Sequence, residues 1–263
     1  MNNISIIIVT FNPGSQIRRL VNNLLKIKIV DRNIEIIIVD NASNDNSLGQ
    51  IDKTKKVQIV RNDINLGFSK AVNLGIKFAL KKNAGTIILV NQDVDFTNDF
   101  ISPLLFNNND IVSPVIKFKR NNQWVYDYGG LINFRIGRIH HRELDYPATI
   151  SKGRIDYVGG CCMLIKSKVI ENIGLFDERF FMYFEDADYC VRARKSGYNI
   201  DVESKSIVVH NFQEGKYREI KKYRYLIASN IIFINKYLGY KIPLGYLYIV
   251  VLSMKIIINL ILK

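Results

Sequence analysis

Short runs of Ile and Val alternating with amphipathic helical patterns predict an α/β protein built on a mostly parallel sheet with helices on both faces. Four runs carry this prediction: Ile4 to Val9, Ile34 to Asp40, Val57 to Val60 and Thr86 to Val90. Their nearly unbroken apolar character suits strands covered on both sides. Between the first two, Ile17, Leu20, Val21, Leu24 and Leu25 fall at i, i+3, i+4, i+7 and i+8, the stripe of one helix face, with Asn12, Pro13 and Ser15 as start signals. The pattern recurs after Gly67 in Phe68, Ala71, Val72, Gly75, Ile76 and Ala79. Residues 107–155 change character, with consecutive asparagines, paired Gly129 and Gly130 and β-rich stretches such as Ile111 to Phe118, and predict a small antiparallel extension over the sheet edge. From Lys221 a helical pattern returns, and Pro243 opens an apolar run. The expected division is a body of residues 1–215 and a helical C-terminal tail of residues 216–263.

With 263 residues, 48% hydrophobic and 23% charged, the chain has ample material for a packed core. Its formal charge of +13 is unevenly placed. Nine Lys and Arg against one acidic residue fall in residues 216–263, leaving 28 against 23 in the body. A surplus beside an apolar run points to a lipid surface more than to nucleic acid. Cys161, Cys162 and Cys190 have no zinc-like spacing and read as small residues of a reducing compartment. The first residues read as a strand and not a signal peptide, so the expected location is cytoplasmic, peripheral to the inner face of the plasma membrane.

Ligands of open α/β sheets bind beyond the carboxyl ends of the strands. Those ends are Thr10-Phe11-Asn12, Asp40-Asn41 and Asn91-Gln92-Asp93. Neither GxGxxG nor GxxxxGK[ST] occurs, so a bound phosphate needs another partner, and a carboxylate-held divalent metal is the simplest. Asp93 fits a metal ligand or a strand-ending turn; Asp40 fits a contact to a nucleobase or ribose, or a loop cap. Asn65, Gly67, Lys70 and Asn73 lie where a nucleotide pocket would meet a helix start, though Asn65 also suits a turn and Lys70 a solvated charge. His210, ending an apolar strand, is either a packed residue or a ligand. The densest cluster is Phe180 to Tyr189, where Glu185, Asp186 and Asp188 follow an aromatic stretch. Carboxylates beside apolar rings suit a general base, and equally an acidic first helical turn.

Taken in order, SIIIVTFN, VDNASND, NLGFSKAVNLGI, LVNQD, the long GLFDERFFMYFEDADYCVR stretch and VVH resemble the family 2 glycosyltransferases of GT-A fold, closest to a rhamnosyltransferase-like branch. The resemblance runs from about residue 4 to 211. It implies a GT-A, Rossmann-like catalytic domain and inverting transfer of a sugar from a nucleoside diphosphate, L-rhamnose from dTDP-rhamnose foremost, to a saccharide or lipid-linked acceptor of a bacterial surface polysaccharide. Asp40 would meet the nucleoside, with Thr10, Phe11, Asn12, Asn65, Gly67 and Lys70 around the donor. Asn91-Gln92-Asp93 stands where the family has its metal-binding DxD; since the first Asp is Asn91 here, Asp93 would contact Mg²⁺ or Mn²⁺, with His210 completing the site. Asp186 would be the catalytic base, with Glu185 and Asp188 shaping its surroundings. No QxxRW string occurs, which points to one or a few additions.

Ile242 to Leu262 holds thirteen Ile, Leu or Val, preceded by Lys216, Arg218, Lys221, Lys222, Arg224, Lys236 and Lys241. An in-plane membrane anchor is the preferred expectation, against a helix packed on the body or on a homodimer partner. Other donors on the same scaffold, UDP-galactofuranose or a UDP-N-acetylhexosamine, are the first alternative. A basic nucleic-acid-binding module is more distant, because the acidic cluster would repel phosphate, and a nucleotidyltransferase lacks its basic glycine-rich loop.

Overall fold

The computed structural model describes residues 3–51, 54–145, 153–211 and 216–261. Strand β1 (Asn3–Thr10) pairs in parallel with β2 (Asn33–Asp40) on one side and β4 (Thr86–Val90) on the other, and β2 pairs in parallel with β3 (Val57–Arg61). Helix α1 (Gln16–Lys26) joins β1 to β2, and α2 (Phe68–Lys81) joins β3 to β4.

Alternation along these strands assigns the two faces. Ile4, Ile6 and Ile8 of β1 with Ile36 and Ile38 of β2 pack against Ile17, Leu20, Val21 and Leu24 of α1. Their neighbours Ile7, Ile37 and Val39 pack against Ala71, Val72, Ile76 and Ala79 of α2. Each fully buried aliphatic side chain contributes about 1.5–3 kcal/mol, which is why the strands read as continuous apolar runs. Gly75 lets α2 close on β1, since a Cβ there would lie 2.6 Å from a methyl of Ile7.

Beyond β4 the sheet becomes mixed. β9 (Cys162–Lys166) runs antiparallel to β4 and β6 (Ile111–Arg120), and β10 (Ile200–His210) runs parallel to β6, with the two-residue β5 (Val94–Asp95) at the far edge. Strands β7 (Gln123–Asn133) and β8 (Arg138–Leu144) continue from β6 as antiparallel hairpins, the extension expected for residues 107–155; its residues 146–152 lie outside the described residues. Helices α3 (Ile101–Phe106), α4 (Ser167–Ile173) and α5 (Glu185–Lys195) complete the body.

The expected division after residue 215 falls on residues 212–215, outside the described residues. The helix that follows, α6 (Lys216–Tyr237), sends Phe233 into the larger core, where it meets Phe184 at 5.3 Å and Tyr237 at 4.7 Å between ring centroids. Helix α7 (Ile242–Ile261) packs on α6 through Ile249, with Gly245 close against Ile234 and Leu238.

Candidate active site

The acidic cluster begins at a backbone elbow. Tyr183 and Phe184 have φ of +69° and +66°, consecutive left-handed residues immediately before α5. Each costs of order 1–3 kcal/mol, so surrounding contacts must hold them. The Phe181 carbonyl accepts from the Phe68 amide at 2.7 Å while its ring stacks on Tyr225 at 4.6 Å. The Met182 carbonyl accepts from the Ser229 hydroxyl at 2.8 Å, and Phe184 is buried against Phe233. Helices α2 and α6 therefore clamp the elbow, which delivers Glu185 and Asp186 at the start of α5.

Asp186 is partly exposed, its Oδ2 accepting from the Gly160 amide at 2.9 Å and its Oδ1 from the Ala187 amide at 2.7 Å. Burial raises its proton affinity above the ordinary carboxylate range, while these amides and the charge of His141 pull against that rise. Glu185 is more deeply placed, and its Oε2 has no hydrogen-bond partner among the described residues. Burial first, then the adjacent Asp186 charge, lifts Glu185 well above a normal glutamate.

Asp188 departs from the expectation that it shapes this site. It is fully buried, with Lys236 at 2.6 Å, Arg192 at 3.0 Å and the Tyr237 hydroxyl at 2.6 Å. Two residues along a helix turn the chain by about 200°, so its side chain leaves α5 on the side opposite Asp186. Lys236 also pairs with Asp177 at 2.7 Å. This lysine, counted in the sequence among lipid-facing charges, is instead a bolt between α6 and the body.

Beyond the ends of β1, β2 and β4, the loops are laced together. Gln92 Oε1 accepts from the Thr10 hydroxyl and the Phe11 amide, both at 2.8 Å, and its Nε2 donates to the Phe11 carbonyl at 3.3 Å. The Asn12 amide donates to Ser43 Oγ at 2.9 Å, and Asn12 Oδ1 accepts from the Asn44 amide at 2.8 Å. Asp40 is buried and its Oδ1 accepts from the Ser43 amide at 2.9 Å. Thr10, Asn12 and Gln92 thus shape the loops, and Phe11 stands exposed at their lip.

Asn41 was passed over as a strand end. Its Nδ2 donates to Asn65 Oδ1 at 2.9 Å and the Gly67 carbonyl at 3.2 Å, while its Oδ1 accepts from the Leu66 amide at 2.9 Å. Burial at the end of β2 was its one available signal. Gly67 has φ +83° and sits where a Cβ would strike Phe181. Lys70 is exposed. Asn73 does not line a pocket: it is buried, donating to the Phe176 carbonyl at 2.9 Å and accepting from the Phe176 amide at 3.0 Å.

Asp93 Oδ1 lies 3.1 Å from His210 Nε2, and the Asp93 carbonyl accepts from the Asn211 amide at 2.9 Å. Burial opposes a charge on His210, but Cys161 and Asp93 raise it to about 10. Burial pushes the Cys161 thiol up as well. Asp93 and a neutral His210 are the oxygen and nitrogen donors that could share a divalent ion, which would take the place of the proton now between them. Among the described residues no group of three His, Cys, Asp or Glu is placed to hold a metal ion.

Asp186 and this pair are joined through Gly160 and Cys161. The Asn91 amide donates to the Cys161 carbonyl at 2.8 Å, Cys161 contacts His210, and Gly160 next to it holds Asp186.

The sequence matches Glycosyl transferase family 2 over residues 5–174, well over half the chain. It is 26% identical over 256 residues to a low-salt glycan biosynthesis hexosyltransferase of Haloferax volcanii, covering 89% of this chain and 77% of that protein. It is 28% identical over 217 residues to the dTDP-rhamnosyl transferase RfbF of Shigella flexneri, covering 80% and 69%. A third relative is the N-acetylglucosaminyl-diphospho-decaprenol L-rhamnosyltransferase of Mycobacterium tuberculosis, 24% identical over 244 residues and covering 78% and 75%.

Two solved structures share the fold. GalNAc-T7 with UDP, GalNAc and Mn²⁺ superposes with a TM-score of 0.64 at 17% identity, covering 80% of this chain. The mannosyltransferase PcManGT of Pyrobaculum calidifontis with GDP-Man and Mn²⁺ gives 0.62 at 16% identity, covering 89% of this chain. This chain spans 44% and 63% of their lengths. The fold is that of the GT-A glycosyltransferases, and the chain belongs to glycosyl transferase family 2.

Proposed function

We propose that the protein is an inverting, metal-dependent glycosyltransferase that moves a sugar from a nucleoside diphosphate, L-rhamnose from dTDP-rhamnose foremost, to a saccharide or lipid-linked acceptor in surface polysaccharide synthesis. The observation that carries this reading is the strip in which Gly160 holds Asp186 while Cys161 touches the Asp93–His210 pair. A candidate proton acceptor and a candidate diphosphate-binding pair are thus touched by adjacent residues, Gly160 and Cys161. The rhamnosyl choice is supported by the names of two relatives.

In this mechanism the acceptor oxygen attacks the anomeric carbon while Asp186 takes its proton and the bond to the diphosphate breaks on the opposite face. One displacement inverts the configuration. Asp93 and His210 would hold the divalent ion, which when bound neutralises charge developing on the leaving diphosphate. Desolvation suits Asp186 to this task by raising its basicity towards the operating range. Asp186→Asn, which keeps the shape and loses the base, lowers turnover at least 10²–10⁴-fold, on the order given for such groups, and leaves donor affinity intact. Near-normal turnover in that variant removes Asp186 from the role.

The catalytic unit in this reading runs through α6, and α7 is the membrane-associating part. Among the described residues, α7 belongs to the one segment long and apolar enough to cross a membrane, Gly239–Leu260. One side of α7 rests on α6, while Leu247, Val251, Met254 and Ile258 are exposed at helical spacing along the other. A helix packed along one side and bare along the other suits the plane of a lipid surface, with exposed Lys221, Lys222 and Arg224 toward anionic headgroups. A catalytic face on the inner leaflet would meet a lipid-linked acceptor there.

A further inference from the structure

The hairpin that joins β6 to β7 carries an open aromatic and cationic patch at the carboxyl edge of the sheet. Lys117 faces Tyr126 across the strand pair and Lys119 faces Trp124, so these four side chains share one face. The other face is occupied by structural contacts: Phe118 and Val125 pack with the core between β1 and α1, and Arg120 makes a two-pronged bond to Glu143, both contacts at 2.7 Å. On the open face the Lys117 ammonium lies 4.2 Å from the Trp124 ring centroid and 5.5 Å from that of Tyr126, and the Lys119 ammonium lies 5.0 Å from Trp124. Trp124 is still 46% exposed, and among the described residues neither lysine is paired with a carboxylate. Exposed cation–π contacts add little to stability, so folding alone does not account for this grouping.

Position ties the patch to the candidate active site. Lys117 sits in register with Val209, the residue before His210, and Lys119 stands about 7 Å farther out along the strand. Tyr126, on the same face, packs against the core that holds Phe184 and Ala187, so the patch opens on the side of the sheet that carries α5 and Asp186. In the strand order β2-β1-β4-β9-β6, Gly160 holds Asp186 just before β9, with the loops of Thr10 and Asp40 to one side and the β6–β7 hairpin to the other. A nucleotide sugar on those loops comes to Asp186 from one side, which leaves the hairpin side to the acceptor. We propose that Lys117, Lys119 and Trp124 form an acceptor subsite for a sugar ring joined to a diphosphate, the head of a lipid-linked saccharide, with the ring on the indole and phosphate oxygens at the two ammonium groups. The proposal rests on the reading of Asp186 as the base of a glycosyl transfer. Polarised C–H groups on the apolar face of a sugar complement the negative face of an indole. Lysines hold phosphate as point charges on flexible stems. A neutral sugar would need only the rings, whereas two unpaired cations call for an anion beside it.

Trp124 is the one tryptophan of the chain, so its fluorescence reports this subsite in the full-length protein without any turnover. The probes are glucosyl, galactosyl and N-acetylglucosaminyl diphosphates bearing a short alkyl chain, with dTDP and inorganic diphosphate as controls. At least one sugar probe is expected to change the emission saturably, and its affinity to fall tenfold or more in the double variant Lys117→Gln/Lys119→Gln. Binding of dTDP, followed by calorimetry, is expected to be the same in that variant as in the wild type. In the transfer assay with the probe that binds, Trp124→Ala raises the acceptor KM tenfold or more and leaves the donor KM unchanged. Emission unmoved by all three probes overturns the proposal, and so does a double variant that binds them as the wild type does. An equal emission change and affinity with dTDP or inorganic diphosphate also overturns it, marking a general anion patch or part of the donor site. Binding here needs no proton transfer, so Asp186→Asn keeps the emission change; retained turnover in that variant overturns the base assignment, an outcome distinct from the others.

Discussion

The elbow that carries Asp186 is held by a contact that tolerates only glycine, and Gly67→Ala tests it. Gly67 has φ +83° and ψ 172°, a conformation essentially reserved for glycine. An added Cβ would lie 2.6 Å from Phe181 Cδ2, 2.7 Å from the Phe181 carbonyl oxygen and 2.9 Å from Cγ. The ring could swing, but the carbonyl is backbone and already accepts from the Phe68 amide at 2.7 Å. The backbone term costs about 1–3 kcal/mol, and displacing packed atoms costs about 1–3 kcal/mol more. At about 2–4 °C per kcal/mol for a chain of this size, Tm falls by roughly 10 °C. Gly174 supplies the control. It adopts the same conformation, φ 79° and ψ −167°, with nothing within 4 Å of its missing Cβ, so Gly174→Ala isolates the backbone term. Relief of the Gly67 clash pushes Phe181 and, two residues on, the Tyr183–Phe184 elbow. A displacement near 1 Å at Asp186 costs about 10²-fold in turnover. Thermal unfolding and nucleotide release are measured on both variants. Equal Tm losses with unchanged turnover in Gly67→Ala refute the idea that this contact places the base.

Three further outcomes follow from the same geometry. Glu185 has a folded-state proton affinity raised by burial and by Asp186, so the stability it contributes is full below the ordinary glutamate range and is lost as pH rises towards its raised value. Glu185→Gln removes that loss: its Tm exceeds the wild-type value at pH 8 and converges with it near pH 4, and parallel Tm curves would contradict the assignment. Excess chelator abolishes sugar transfer and Asp93→Ala weakens nucleotide-sugar binding by tenfold or more, as for loss of a charged contact of about 1.5–3 kcal/mol; full activity in chelator counts against a metal at Asp93 and His210. Replacing exposed Leu247, Val251, Met254 and Ile258 by Asn leaves Tm nearly unchanged and releases the protein from anionic phosphatidylglycerol vesicles in a flotation assay, and retained binding refutes the anchoring face.

What the sequence could show was set by how local each signal is. Strands β1 and β2 announce themselves because both faces are apolar, and the two-residue alternation then assigns one set of isoleucines to α1 and the other to α2. The Glu185-Asp186 pair was legible as a candidate from a contiguous aromatic and acidic stretch. The separate jobs of the acids were not, because they depend on chain that arrives some fifty residues later. Asp188 differs from Asp186 only by a rotation of about 200° around α5, yet that rotation turns it to Lys236 and Tyr237 of α6 and into a buried ion cluster. Counting charge misled for the same reason: Lys236 belongs by position to a basic tail and by contact to Asp177 and Asp188 of the body. The His141–Asp127 pair was invisible for a further reason, since its two members lie across a bulged strand pair. Composition identifies which side chains could do chemistry, whereas the direction each one faces is decided by the element packed behind it. In this protein that element is α6 for Asp188, whose partners Lys236 and Tyr237 close on the helix that also carries Asp186.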